Sequence, residues 1–339
     1  MRVLLIGGTN FIGPHVIAVL HRQGHELTVY HRGLHEPELP PGIRHIHSPR
    51  AGLPVLQFPS ALSDPKPEIV LHMFPVGQDD ARAAVARFAG VARRMVALSS
   101  GDVYRAYGRL LGTEPGPPEP TPLREEAPLR EAHFPYRHAA TGPDDWTYHY
   151  EKILAERAFL DTSLPATILR LPAVYGPGDP HHRFRPYIKR MRDGRPFVLL
   201  DRLQAEWRWT HGYVEDVATA IATAVTEERA AGQLYNLGEA ATPTTAERIR
   251  RIGELMGWRG RVIPLSRDRL PPHLQPPYEA GQDLVTDTRR IRNELNYRES
   301  VPENLGLRRT IEWECSVEAP GDPGPVEYAA EDEAQRGAA

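Results

Sequence analysis

At 339 residues the chain has room for one large α/β domain, or for a nucleotide domain with a smaller lobe. Its net charge of −3 makes no demand for a nucleic-acid or membrane partner. The single cysteine, Cys315, excludes an intramolecular disulfide framework and a multi-cysteine zinc site, and suits a reducing cytoplasm. No apolar run approaches the ~18–20 residues of a membrane span, and the N-terminus carries no signal-peptide pattern. Of 41 basic residues only Lys66, Lys152 and Lys189 are lysine, so each is a candidate for a role that arginine cannot fill.

Strands are predicted at about 2–7, 26–31, 44–47, 68–73, 93–99 and 166–171, with helices near 12–23, 78–90 and 146–160. That alternation argues for an α/β fold, a doubly wound parallel (Rossmann) sheet with its ligand at the C-terminal strand ends. The first strand runs straight into Gly7-Gly-Thr-Asn-Phe-Ile-Gly13, and the apolar spacing of Pro14–Leu20 is helical. A dinucleotide pyrophosphate needs this strand–turn–helix: Gly7 for the sharp turn, Gly8 for close approach, Gly13 for packing helix on strand. Asn10 stands where the middle glycine is usual, and tolerates left-handed backbone better than most residues.

Residues 50–65 carry no clear signal. Residues 109–145 form an insertion with eight prolines, a length that marks a cover or a disordered segment. A mixed second lobe with interleaved elements is expected over 177–316, with helices near 214–227, 244–257 and 302–314, and short strands near 197–200, 233–237 and 261–265. The acidic stretch 317–339 reads as a disordered tail, and there is no internal repeat. A nucleotide domain would thus span 1–176. His45 and His47 share a strand face and His181 adjoins His182, but neither pair brings the carboxylates or cysteines of a metal set, so no metal is expected.

Tyr148 and Lys152 stand four apart behind Asp144-Asp145, a helix N-cap signal, and that spacing predicts one helical face. An ammonium beside a phenol favours the phenolate, which suits a general base. Ser100 ends the strand Met95–Leu98, where a doubly wound sheet presents its chemistry, and its hydroxyl can hold a substrate oxygen. Tyr150, two residues from Lys152, falls on another helical face in this reading.

Together these motifs resemble the extended short-chain dehydrogenases/reductases, the NAD-dependent epimerase/dehydratase family, over roughly residues 1–315. The likeness also rests on Val70-Leu-His72, Ser99-Ser-Gly-Asp-Val-Tyr104, Val174-Tyr-Gly-Pro-Gly178, Tyr213-Val-Glu-Asp-Val217 and Tyr235-Asn-Leu-Gly238. It implies Tyr148 as catalytic acid and base, Lys152 on the nicotinamide ribose, and Ser100 on the substrate oxygen. Gly7, Gly8, Thr9, Asn10, Phe11, Ile12 and Gly13 form the cofactor turn.

Departures from the family pattern refine these expectations. His31 takes the place of the ribose-binding acid and Arg32 follows it, which favours NADP over NAD. Gly101 and Asp102 replace the Asp-Glu pair of sugar dehydratases; Asp102 stands where sugar-acid decarboxylases keep a glutamate and is retained as a catalytic candidate. Ala173 replaces an asparagine frequent in nucleotide-sugar members. Arg208, one place out of register, and Tyr175 are the substrate-binding candidates, and Arg183–Arg192 form a basic helix able to meet a diphosphate.

The resemblance implies an epimerase-type oxidoreductase acting on a sugar or sugar-nucleotide hydroxyl, cytoplasmic and homodimeric through the helices near 78–90 and 146–160. An NADPH-dependent carbonyl reductase or dehydrogenase is the alternative. A non-catalytic RNA-binding or regulatory member is the third reading, and the net charge and the Ser/Tyr/Lys set weigh against it.

Overall fold

Short apolar runs carry the chain back and forth across one parallel sheet in a computed structural model that describes residues 1–49, 52–319 and 321–337. The first half comprises β1 (Arg2–Ile6), α1 (Ile12–Arg22), β2 (Glu26–His31), β3 (Arg44–His47), β4 (Ile69–His72), α2 (Gln78–Phe88) and β5 (Arg94–Ser100). There follow α3 (Arg105–Leu110), α4 (Trp146–His149), α5 (Lys152–Leu160), β6 (Ala166–Leu171), β7 (Ala173–Tyr175) and α6 (Arg185–Arg192). The remainder supplies β8 (Phe197–Asp201), α7 (Arg202–Glu206), β9 (His211–Tyr213), α8 (Val214–Thr226), β10 (Leu234–Asn236) and α9 (Thr245–Met256). It ends with β11 (Arg261–Leu265), α10 (Arg289–Glu294), α11 (Glu303–Ser316) and α12 (Pro325–Arg336).

The main sheet has seven strands in the order β10-β6-β5-β4-β1-β2-β3, and each neighbouring pair is parallel. Alternation along β1 sends Val3 and Leu5 to one face and Leu4 and Ile6 to the other. The first face packs on Val16 and Ile17 of α1 and Ile221 of α8; the second packs on Ala84 and Phe88 of α2 and Phe159 of α5. β4 reads Ile-Val-Leu-His, buried throughout, as a parallel strand covered on both faces must be.

Past residue 176 the chain returns to the sheet: β10 pairs with β6, and α8 covers α1. The second lobe is built on the parallel pair β8–β11, with α6, α7 and α9 against it.

The insertion folds back on the sheet end. The Glu114 carboxylate accepts the amides of Glu131 (2.6 Å) and Ala132 (2.9 Å), and Tyr104 bridges to Leu129. The stretch 317–339, expected to be disordered, instead forms α12 over Pro325–Arg336; Pro320, Ala338 and Ala339 lie outside the described residues. Its acidic composition finds a basic partner: Glu331, fully buried, takes Arg190 of α6 at 2.5 Å and His273 at 3.1 Å. Arg185 closes on Asp322 with two hydrogen bonds of 2.8 and 2.6 Å.

Glu331→Ala leaves the Arg190 guanidinium buried without its carboxylate, so α12 is expected to lose about 3 kcal/mol of local stability. Native-state hydrogen exchange over 325–336 reads this directly, and unchanged protection contradicts the docking role.

Candidate active site

The glycine turn shapes one end of a cavity of about 580 Å³ at the C-terminal ends of the strands. Gly7 and Gly8 have φ of +81° and +97°, a region that side chains rarely enter. A Cβ on Gly13 would lie 2.1 Å from the Gly8 carbonyl oxygen, so glycine alone lets α1 come this close to the turn. The left-handed residue is Phe11 (φ +42°) rather than Asn10, whose carbonyl instead accepts the Gly13 amide at 3.0 Å. No side chain caps the start of α1 and no acid stands in its first turn, which leaves its amides and dipole to an anion. Thr9, Asn10, Phe11 and Ile12 all line the cavity beside Gly7 and Gly8. The residues present therefore fit a dinucleotide pyrophosphate.

At the end of β2, His31 and Arg32 line the same cavity, and no carboxylate does among the described residues. Burial holds His31 below the usual histidine range, so at neutral pH it is uncharged. Its Nε2 lies 3.0 Å from His45 Nδ1, and His47 Nε2 lies 2.9 Å from Glu36. Glu36 thus brings a carboxylate to these histidines that their sequence spacing gave no sign of, and donor atoms of His31, Glu36 and His45 all lie within 4.8 Å. The Gly33 amide donates to His31 Nδ1 at 3.2 Å, which places the ring proton on Nε2, toward His45. That nitrogen then has no lone pair for a cation, and the cluster is a hydrogen-bond chain.

Across the cavity the expected single helix is broken. Asp145 caps α4 through the Thr147 amide at 3.0 Å, but α4 ends at His149 and α5 begins at Lys152. Two contacts from the β4–α2 loop account for the break. The Glu151 amide donates to the Val76 carbonyl at 2.9 Å, and Gly77 packs so closely that a Cβ would meet the His149 carbonyl oxygen at 2.5 Å. The Glu151 side chain, fully buried, caps α5 through the Ile153 amide at 3.0 Å.

Tyr148 and Lys152 consequently do not share a helical face. Tyr148 does not line the cavity: its ring lies 4.6 Å from the Arg137 guanidinium, whose Nε donates to the Tyr148 carbonyl at 2.9 Å. Tyr150 takes the place in the cavity, beside Lys152 and Ser100. Lys152 is buried with Nζ donating to the Pro75 carbonyl (2.6 Å) and the Leu98 carbonyl (3.2 Å), and burial lowers its pKa to about 8.

Tyr150 donates its hydroxyl to Asp102 Oδ2 at 2.8 Å, with the Ser100 hydroxyl facing the same phenol. Tyr136, carried in by the insertion, donates to the same carboxylate oxygen at 3.1 Å and meets the Tyr107 hydroxyl at 2.9 Å. Asp102 is 6% exposed and its Oδ1 is buried without a hydrogen-bond partner. Burial raises the carboxylate above its ordinary range, against the pull of Arg130, Tyr150 and Lys152. Burial and the Asp102 charge push Tyr150 well above the usual phenol value. Phe74 and Trp146 complete this end, their rings 5.3 Å apart. Tyr136 was missed because it sits in a proline-rich stretch with no periodicity to place it.

Tyr175 and Arg208 do not join this site. Successive strand residues face opposite ways, so Val174 lines the first cavity while Tyr175 lines a second, of about 740 Å³, together with Arg208. The Tyr175 hydroxyl donates there to Glu239 at 2.8 Å, and Arg208 donates to the Thr242 carbonyl at 2.8 Å.

Comparison with known proteins agrees with this architecture. Residues 3–238 match the NAD dependent epimerase/dehydratase family. The chain is 26% identical over 265 residues to the 2′-dehydrokanamycin reductase of Streptomyces kanamyceticus, covering 76% of this chain and 67% of that protein. It is 23% identical to the UDP-N-acetyl-α-D-glucosaminuronate decarboxylase of Bacillus cytotoxicus, over 94% of this chain and 98% of that one. The crystal structure of UDP-glucuronic acid 4-epimerase from Bacillus cereus, in complex with UDP-glucuronic acid and NAD, superposes with a TM-score of 0.66 at 16% identity, over 94% of this chain and 100% of that chain. With the match spanning most of the chain, and a glycine turn, a parallel sheet and a buried lysine in one cavity, the chain belongs to the NAD-dependent epimerase/dehydratase family of enzymes.

Proposed function

We propose that the chain is an NAD(P)-dependent epimerase-type oxidoreductase acting on a sugar or sugar-nucleotide hydroxyl, with Tyr150 rather than Tyr148 at the reacting oxygen. The observation that carries this reading is the placement of Tyr150 in the cavity of the glycine turn, 2.8 Å from Asp102 and beside Ser100 and Lys152. A bound dinucleotide supplies the hydride acceptor and donor. Ser100 and Tyr150 hold the substrate oxygen. As Tyr150 takes the hydroxyl proton it passes its own to Asp102, so no free phenolate forms beside a carboxylate. Lys152, fixed on two backbone carbonyls, keeps a proton for the nicotinamide ribose below about pH 8.

Arg32, at the end of β2 in the cavity lining, supports NADP over NAD, since a guanidinium suits a 2′-phosphate. The expected homodimer is retained as part of this proposal: α2 and α5 pack together and keep outward faces that include the exposed Leu160. No helix of the described residues is long and apolar enough to cross a membrane, and a cytoplasmic setting suits an enzyme of dinucleotide and sugar. A second reading, a carbonyl reductase with exchangeable NADPH, draws on the likeness to the 2′-dehydrokanamycin reductase and uses the same residues.

Calorimetry with NAD and NADP tests the foundation, and binding of neither defeats both readings. Arg32→Ala is expected to cost about tenfold in NADP affinity, roughly one charged hydrogen bond, and to leave NAD affinity unchanged. In single-turnover measurements of bound-nicotinamide reduction at 340 nm, Tyr150→Phe should lower the hydride-transfer rate by about 10²–10⁴-fold while Tyr148→Phe stays within about twofold. The reverse pattern restores Tyr148. Asp102 must be ionised to accept the proton, and burial raises its pKa, so activity should fall with acidification at a pH above the ordinary carboxylate range. Asp102→Asn should lower kcat and abolish that acid limb; an unchanged limb assigns it to another group.

A further inference from the structure

A nucleoside diphosphate is held by cations or by free backbone amides; the free amides of α1 face the dinucleotide, and the cations on and beside α6 are already engaged. Arg183 lies on Asp179 at 2.6 Å, Arg185 on Asp322 at 2.6 Å, and Arg190 on Glu331 at 2.5 Å, while Lys189 pairs with Asp193 and Arg195 with Asp332. Asp179 and Glu331 are almost wholly buried, so drawing their arginines away to a phosphate leaves carboxylates stranded in the interior. Asp322, Glu331 and Asp332 all come from the segment that ends in α12, which these pairs dock on α6. The arginines near α10 also face carboxylates, though in more exposed pairs: Arg289 with Asp287 at 2.5 Å, Arg290 with Glu126 at 3.2 Å, and Arg292 with Glu299. Arg208 faces the other cavity.

Among the described residues, the lysines and arginines lining the active-site cavity are Arg32, Lys152 and Arg183. Arg32 stands at the end of β2, three strands from β5 and Ser100, which is about 14 Å at ~4.8 Å per strand. Lys152 points its ammonium at two carbonyls, and Arg183 is neutralised by Asp179.

What the substrate end offers instead is aromatic surface. Phe74 and Trp146 are 38% and 39% exposed, unusual for such large apolar side chains, and both line the cavity. Trp146 lies 5.7 Å from the Tyr150 ring, and the Lys152 ammonium sits 4.8 Å over the Phe74 face. Such faces cover the C–H side of a pyranose while its hydroxyls turn to Ser100 and Tyr150.

We propose that the substrate is a saccharide carrying no nucleotide diphosphate, seated by its apolar ring face on Phe74 and Trp146. The inference rests on the reading of this cavity as an NAD(P)-dependent hydride-transfer site.

The test uses the full chain loaded with dinucleotide, its occupancy measured in the same preparation. Calorimetric titration with UDP and with UDP-glucuronic acid should give no saturable heat up to about 1 mM, the weak end of specific binding. One-to-one binding of either below about 0.1 mM overturns the proposal while leaving the hydride-transfer reading intact. Failure to load any dinucleotide defeats that reading instead. Saturation-transfer NMR with a mixture of methyl glycopyranosides should show transfer to ring protons in the wild type, lost in a Phe74→Ala/Trp146→Ala variant that still loads dinucleotide. Equal signals in both proteins, or none in the wild type, overturn the aromatic seat.

Discussion

The buried carboxylate of Glu151 sets the geometry of the whole active-site wall. It caps α5 through Ile153, meets Arg130 at 3.3 Å and accepts the Phe134 amide, so one side chain joins a helix start to both ends of a turn in the insertion. A carboxylate without exposure to water has to satisfy its lone pairs inside the protein, and here all its partners are local donors that fix position. Where the β4–α2 loop interrupts the helix at residues 150 and 151, this carboxylate fixes the new start of α5. Tyr150 falls out of helical register toward Asp102, and Lys152 becomes the first residue of α5 with its ammonium on the loop after β4 and on β5.

This wall concentrates charge in a place with little water. Asp102, Asp80 and Glu156 all raise the Lys152 pKa, but burial outweighs them and brings it to about 8. Asp80 is itself pinned by the amides of Val76 (2.7 Å) and Gly77 (2.9 Å), and it thereby holds the loop that breaks the helix. The same low-dielectric setting favours a neutral Tyr150, an arrangement that suits proton exchange along a hydrogen bond better than a standing phenolate. The insertion is part of this wall, since Tyr136 supplies one of the two hydroxyls that Asp102 accepts.

The fold was legible because its signals are local. β2, β3, β6 and β11 lie where the sequence predicts strands, and the glycine turn is built by residues adjacent in sequence. The site was legible only in part. Gly7, Gly8, Gly13, Ser100 and Lys152 come together as expected, but Tyr-His-Tyr-Glu-Lys contains no glycine or proline to announce a break. The break comes from Val76 and Gly77, some seventy residues upstream, which periodicity cannot register. Tyr175 misled because its motif lies beside the cavity while its side chain points through the strand to the far face. The tail misled for a related reason: acidic composition argues for a solvated segment only where no buried base waits for it.

That last point reflects how this chain uses arginine. With nearly all its basic residues arginine, it has at its disposal a planar fork that binds a carboxylate at two points and tolerates burial better than an ammonium. It uses the fork across long stretches of sequence: Arg190 reaches Glu331, Arg185 reaches Asp322, and Arg248 reaches Glu303. A basic run read along a single helix suggests an anion-binding face, yet the anions that satisfy α6 are supplied by the protein itself. The buried pairs bring little net stability compared with well-packed apolar residues, but breaking one is costly, so they specify where α12 sits. The charge pattern of α6 is therefore an instruction for assembling the second lobe rather than a sign of an anion-binding face.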